Sequence, residues 1–136
     1  MKKSIVIVLL TISFLLVTSC APQAEEGKTI RAAVSDRTFT YEKGGFGGEF
    51  FIMISSDGTF QYYEGGLSSY IGIGSWALED DILILSDDNE VGYPCVNRFK
   101  VDGDNLIFLA EDSDNFIYIK VADGERFMGV SGEAPL

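Results

Sequence analysis

Gly48-Glu49-Phe50-Phe51-Ile52-Met53-Ile54-Ser55-Ser56-Asp57-Gly58-Thr59-Phe60-Gln61-Tyr62-Tyr63-Glu64 is the stretch that decides the fold. Gly48 to Ser55 is a run of strand-forming apolar residues, and Thr59 to Glu64 is a second run rich in aromatics. Between them Ser56-Asp57-Gly58 supplies turn chemistry, because glycine tolerates the positive φ that tight hairpin turns need. A hairpin is the expected unit.

Working outward, the same unit recurs. Gly74 to Glu79 places Trp76 and Leu78 on one face, Asp80-Asp81 turns, and Ile82 to Leu85 returns. Tyr93 to Val101 follows, then Asp102-Gly103-Asp104-Asn105 and Leu106 to Ala110. Glu111 to Asn115 forms a further polar turn before a strand expected over Phe116 to Ala122. Asp123-Gly124 makes the last hairpin before Arg126-Phe127-Met128. Turns spaced by roughly 10–12 residues belong to an antiparallel meander. Past the N-terminus, no run of helical period has adequate length.

About eight strands in this length predict an all-β fold, closing into a small lipocalin-like barrel without exposed edges. Phe50-Phe51 and Ile82 to Leu85 are apolar on both faces, which predicts cover outside those strands. One segment is irregular: the Gly/Ser crossover Gly65-Gly66-Leu67-Ser68-Ser69-Tyr70-Ile71-Gly72-Ile73-Gly74. It is too rich in glycine for a stable strand and has room for one helical turn starting at Ser68 or Ser69.

The N-terminus carries a different message. Met1-Lys2-Lys3 is basic, and Ile5 to Val17 is apolar apart from Thr11 and Ser13. That run is shorter than the roughly 20 residues a membrane-spanning helix requires, and it fits the apolar region of an export signal. Val17-Thr18-Ser19-Cys20 resembles the lipobox of bacterial lipoproteins, which implies cleavage before Cys20 and diacylglyceryl transfer to its sulfur. The competing reading is an ordinary secretory signal followed by a chance cysteine. Two or more acyl chains would hold the domain stably, at roughly 0.8 kcal/mol per buried methylene.

Expected organisation is therefore a signal over residues 1–19, a flexible tether over 20–29, an all-β domain over 30–130 and a tail over 131–136. Loss of residues 1–19 leaves 117 and moves the net charge from −11 to −13, since the leader holds two lysines and no acid. So acidic a chain is a poor partner for nucleic acid or for anionic headgroups. It has no histidine, which removes Ser-His-Asp and Cys-His sites and most zinc sites. Ser68 and Ser69 then lack a base. A carboxylate pair drawn from Glu64, Glu79, Asp80 and Asp81 is formally open, although Glu79-Asp80-Asp81 reads as an exposed hairpin tip. An enzyme is not expected.

Three acidic clusters invite a calcium reading: Asp87-Asp88-Asn89-Glu90, Asp102-Gly103-Asp104-Asn105 and Asp112-Ser113-Asp114-Asn115. None has the spacing of a dedicated calcium loop. Asp and Asn recur in turns for capping alone, so neither a metal nor any other cofactor is expected. Cys95 shares strand parity with Phe99 and Val101, which points it toward the core as a small hydrophobe. With Cys20 acylated it has no cysteine partner; without acylation a Cys20–Cys95 disulfide becomes possible.

From about Phe46 to Phe127 the chain resembles a small domain of Firmicute secreted proteins and lipoproteins, found also as an extracellular tail of BlaR-type membrane sensor peptidases. The likeness rests on Asp57-Gly58-Thr59-Phe60, Leu67 to Gly72 with Gly74 and Trp76, and Leu78-Glu79-Asp80-Asp81. Phe99 to Phe108 and Asp123-Gly124-Glu125-Arg126-Phe127 complete it. The resemblance implies an accessory or sensing domain and names no ligand; the peptidase motif needs histidine.

The function expected is a membrane-anchored, extracytoplasmic, non-catalytic module that binds or senses an envelope protein or small ligand. Its candidate surface is Leu67, Ser68, Ser69, Tyr70 and Trp76, where aromatic area and flexible glycines meet. The same residues could instead plug the barrel. The alternative function is a structural or interaction lipoprotein with a filled core that docks on a membrane partner. A hollow interior lined by Tyr62, Trp76, Phe99 and Phe108 favours the first, a packed one the second.

Overall fold

The computed structural model describes residues 22–43, 50–66, 69–87 and 94–130. Cys20, Leu67 and Ser68 lie outside the described residues, as do residues 88–90 of the first acidic cluster.

Eight antiparallel strands close into one barrel in simple sequence order, with the last pairing back on the first. They are β1 (Arg37–Tyr41), β2 (Phe50–Ile54), β3 (Thr59–Tyr63), β4 (Ile71–Glu79), β5 (Ile82–Asp87), β6 (Cys95–Asp102), β7 (Asn105–Phe108) and β8 (Arg126–Val130). The all-β barrel is therefore the fold. The first hairpin forms with its expected chemistry. Gly58 takes φ 91°, and Asp57 Oδ1 accepts from the Thr59 amide at 2.9 Å and the Thr59 hydroxyl at 2.6 Å.

Two strands differ from expectation, and they compensate. Phe116 to Ala122 is not a strand; β1 takes the eighth place between β2 and β8. Phe116, Ile119 and Val121 are all buried, a spacing that does not fit the two-residue period of a strand. Arg37-Thr38-Phe39-Thr40-Tyr41 does fit, with Phe39 and Tyr41 inward. The glycine-rich crossover also yields more strand than expected, since β4 begins at Ile71 and runs through Gly72 and Gly74. Both glycines are used for close approach. A Cβ on Gly74 would lie 1.9 Å from the Ser86 carbonyl oxygen, and Gly72 is packed under the Tyr62 ring.

Residues 22–34 form helix α1 (Pro22–Val34), whereas composition led to the expectation of a flexible tether as far as residue 29. Proline suits a first helical turn, Glu25 lies in the first turn and Arg31 in the last, complementing the helix dipole. Asp36, at φ 55°, follows the helix, and its side chain accepts the Ser56 amide at 2.7 Å. The helix lies at the barrel end bearing the tight turns. Val34 is fully buried there, and the Arg31 guanidinium sits 4.5 Å from the centre of the Trp76 ring. Arg37 reinforces this end through Asp104 at 2.6 Å. No helix among the described residues is long and apolar enough to cross a membrane.

The barrel is filled. Phe39, Phe50, Ile52, Phe60, Tyr62, Leu83, Leu85, Phe99, Leu106 and Phe127 are each at most 1 % exposed and form one cluster with Trp76 and Phe108. Phe127 stacks on Tyr41 at 4.9 Å and meets Phe50 and Phe99 edge-on at 5.1 and 5.3 Å. Burying each such side chain contributes roughly 1.5–3 kcal/mol before chain entropy is counted. Phe51 points outward beside Tyr63, ring centres 5.4 Å apart, so part of the two-faced apolar pattern is an external aromatic contact.

Candidate functional site

The barrel end opposite α1 holds the strand ends Tyr41 and Phe50, Tyr63 and Ile71, Asp87 and Cys95, and Phe108 and Arg126, the last two joined by the long connection 109–125. Here the inward-facing positions of β3, β5 and β6 turn polar, while Phe50 of β2 and Phe108 of β7 keep the rest of the mouth aromatic. Phe60 and Tyr62 lead to Glu64, Leu83 and Leu85 lead to Asp87, and Cys95 and Asn97 precede Phe99. Glu64, Asp87 and Asn97 are buried to 3 %, 2 % and 1 % exposure. Charges so placed are tolerated only with partners.

Each has them. Tyr70 Oη donates to Asp87 Oδ2 at 2.8 Å, and Asn97 Nδ2 donates to the Asp114 carbonyl at 2.8 Å. Glu64 accepts three successive backbone amides: Ile117 at 3.0 Å on one oxygen, Tyr118 at 2.6 Å and Ile119 at 2.9 Å on the other. Cys95 Sγ lies 3.8 Å from Tyr62 Oη and 3.8 Å from Asn97 Oδ1. Burial pushes the Cys95 thiol upward in pKa; the Tyr62 contact opposes this, and Asp87, Asp114 and Glu64 add to the rise. Burial chiefly, and then Cys95, drive the Tyr62 hydroxyl far above its ordinary range. Both groups are therefore held neutral, and a neutral thiol is a weak nucleophile. What this arrangement does chemically is fix loops.

The main loop so fixed is 109–125. Its first part lies along the half of β6 that β7 does not reach. The Leu109 amide donates to Arg98 O at 3.0 Å and the Asp114 amide to Val96 O at 2.8 Å, and Asp114 Oδ2 accepts the Val96 amide at 2.8 Å. Arg98 Nη1 also donates to the Asp112 carbonyl. Its last part is pinned by Gly124 on Phe108 O at 2.9 Å and by Asp123 Oδ1 on the Ala110 amide at 2.9 Å. Between these anchors Phe116 enters the barrel mouth. Its ring meets Phe50 at 4.8 Å and Tyr62 at 5.5 Å edge-on, and Phe108 at 5.4 Å. Ile117 and Tyr118 face outward, 47 % and 63 % exposed.

Of the residues expected to form one binding surface, the described ones, Ser69, Tyr70 and Trp76, do not converge. Ser69 is exposed and Tyr70 half-buried at the loop end. Trp76 belongs to the opposite end, where its Nε1 donates to Ser55 O at 2.8 Å and its ring lies beneath Arg31. Trp76 is thus a core anchor. Cys95 faces inward as its parity indicated, but into the polar rim and only half-buried. In the second and third acidic clusters Asp102 pairs with Arg126, Asp104 with Arg37, and Asp114 caps β6. Asp80, at φ 54°, forms the exposed turn expected of it. Among the described residues no group of three or more His, Cys, Asp and Glu is placed to hold a metal ion.

Sequence reasoning missed Glu64, Asp87 and Asn97 as one rim, and Ile117 with Tyr118 as a displayed pair. Strand parity carried the signal for the first three. Compared with known proteins, the chain matches no family model, no curated protein and no solved structure.

Proposed function

We propose that the chain is a lipid-anchored extracytoplasmic interaction protein, tethered through Cys20, that docks on a membrane partner by its surface and holds no ligand in its resting state. One observation carries this: the interior where a ligand would sit is occupied by the protein's own aromatic rings. The docking surface is the loop end, where Glu64 fixes the backbone that presents Ile117 and Tyr118. An exposed tyrosine beside an apolar neighbour on a rigid support is well suited to act as an interface anchor. The net charge of −13 after loss of residues 1–19 favours a partner whose rim is neutral or basic.

Anchoring and docking are tested separately. Replacing Cys20→Ala releases the protein from membranes or blocks its processing; unchanged membrane retention contradicts the anchor. A photo-cross-linking residue at position 118 captures a membrane protein in intact cells, and one at position 80, at the far end, does not. Capture at 80 but not at 118 would place the interface elsewhere.

A further inference from the structure

Residues 115–121 are held by a side chain and not by main-chain bonding. Among the described residues, no hydrogen bond between main-chain groups begins or ends in this stretch. Its amides at 117, 118 and 119 all go to one side chain, Glu64, some fifty residues earlier in sequence. On either side the backbone is firmly tied: Asp114 to Val96 and Asn97 before it, and Ala122, Asp123 and Gly124 to Glu125, Ala110 and Phe108 after it. Two tied ends and one latch describe a flap. An open cleft of about 400 Å³ runs along it, lined by Asn115 to Lys120.

Phe116, Ile119 and Val121 hang from the inner side of the flap into the barrel mouth. Phe116 fills a cage of three rings, Phe50, Tyr62 and Phe108, with Cys95 and the Tyr62 hydroxyl at its polar edge. We infer that 115–121 is a latched flap whose opening exposes a binding site for a planar aromatic ring carrying a small polar group, with Phe116 as the built-in occupant. The ring replaces Phe116 against the same three faces, and its polar group meets Tyr62 and Cys95. A ring-lined space vacated in this way has the size and faces to accept a ring-sized molecule, as enclosed apolar cavities do. The exposed Ile117 and Tyr118 make the flap's outer face a handle that a partner could lift. The inference rests on the closed barrel and not on the docking role.

Native-state hydrogen exchange on the full chain, with and without millimolar p-cresol, tests it. The amides of 117–119 exchange through a local opening while strand amides stay protected, and p-cresol selectively accelerates them by capturing the open form. Glu64→Gln, which removes the charged acceptor, raises exchange at 117–119 by about tenfold or more with β2, β3 and β6 unchanged. If wild-type 117–119 exchange only together with the strands, there is no flap. If they open locally but p-cresol leaves their rate unchanged, there is no aromatic site. Because these readouts use the wild-type protein as well, a variant that fails to fold does not spare the inference.

Discussion

Tyr62 and Gly72 face each other in register across β3 and β4, and the tyrosine ring occupies the space that a side chain on Gly72 would need. A Cβ at Gly72 would stand 2.0 Å from Tyr62 Cε1. The fully buried Tyr62 in turn meets Phe50, Phe60, Tyr70 and Phe116, so its position sets the loop end of the barrel. Gly72→Ala is expected to force that ring aside and lower stability by about 2 kcal/mol, the usual range for an overpacked core. Urea unfolding measures it. A stability within error of wild type would mean that Tyr62 has room to move.

Glu64→Ala leaves the amides of Ile117, Tyr118 and Ile119 without an acceptor. The expected loss is about 2 kcal/mol, since amides near a surface recover some bonding from water. Thermal unfolding reads the loss, and Tyr118 should become more mobile by NMR relaxation. An unperturbed Tyr118 would show that apolar contacts alone hold the segment.

Alkaline pH probes the rim. Tyr62 and Cys95 both have raised pKa values in the fold, from ordinary values of 10.0 and 9.0. The unfolded chain therefore loses these protons first and binds fewer of them at high pH, so stability falls as pH rises. It should be full well below pH 9 and decline progressively above it, Cys95 contributing from about its ordinary value of 9.0 and Tyr62 from about 10.0. Tyr62→Phe and Cys95→Ala should each flatten that decline. Identical alkaline slopes in variant and wild type would contradict the burial of these groups.

The hairpins at Asp57-Gly58, Asp80-Asp81 and Asp102 to Asn105 were legible in the sequence because each carries its own turn chemistry; Asp123-Gly124 does turn, but it closes the long 109–125 connection and not the hairpin expected of it, since no strand precedes it. Closure was harder. Phe116 to Ala122 is more apolar than Arg37 to Tyr41, yet the latter is the strand, because alternation decides which segment can pair on both sides. The glycines of β4 read as breakers until the Tyr62 ring and the Ser86 carbonyl are seen against them. Helix α1 has a single fully buried side chain, Val34, among its described residues, too little for an apolar stripe to show. Glu64 was noticed only as a carboxylate; its partners are backbone amides, which no residue pattern reveals.

Trp76 is the one tryptophan in the chain, so its emission reports on the helix end alone. Arg31→Ala uncovers the ring, and acrylamide quenching should rise with a stability loss of roughly 0.5–1 kcal/mol. Unchanged quenching would mean that α1 does not cover the barrel at Trp76.

Native mass spectrometry of the protein extracted from membranes bears most directly on the central idea of an anchored barrel that stores nothing inside itself. The predicted species begins at Cys20, carries a covalent diacylglyceryl group and retains no small molecule. A stoichiometric non-covalent ligand, or a chain that keeps its leader and bears no lipid, would contradict it.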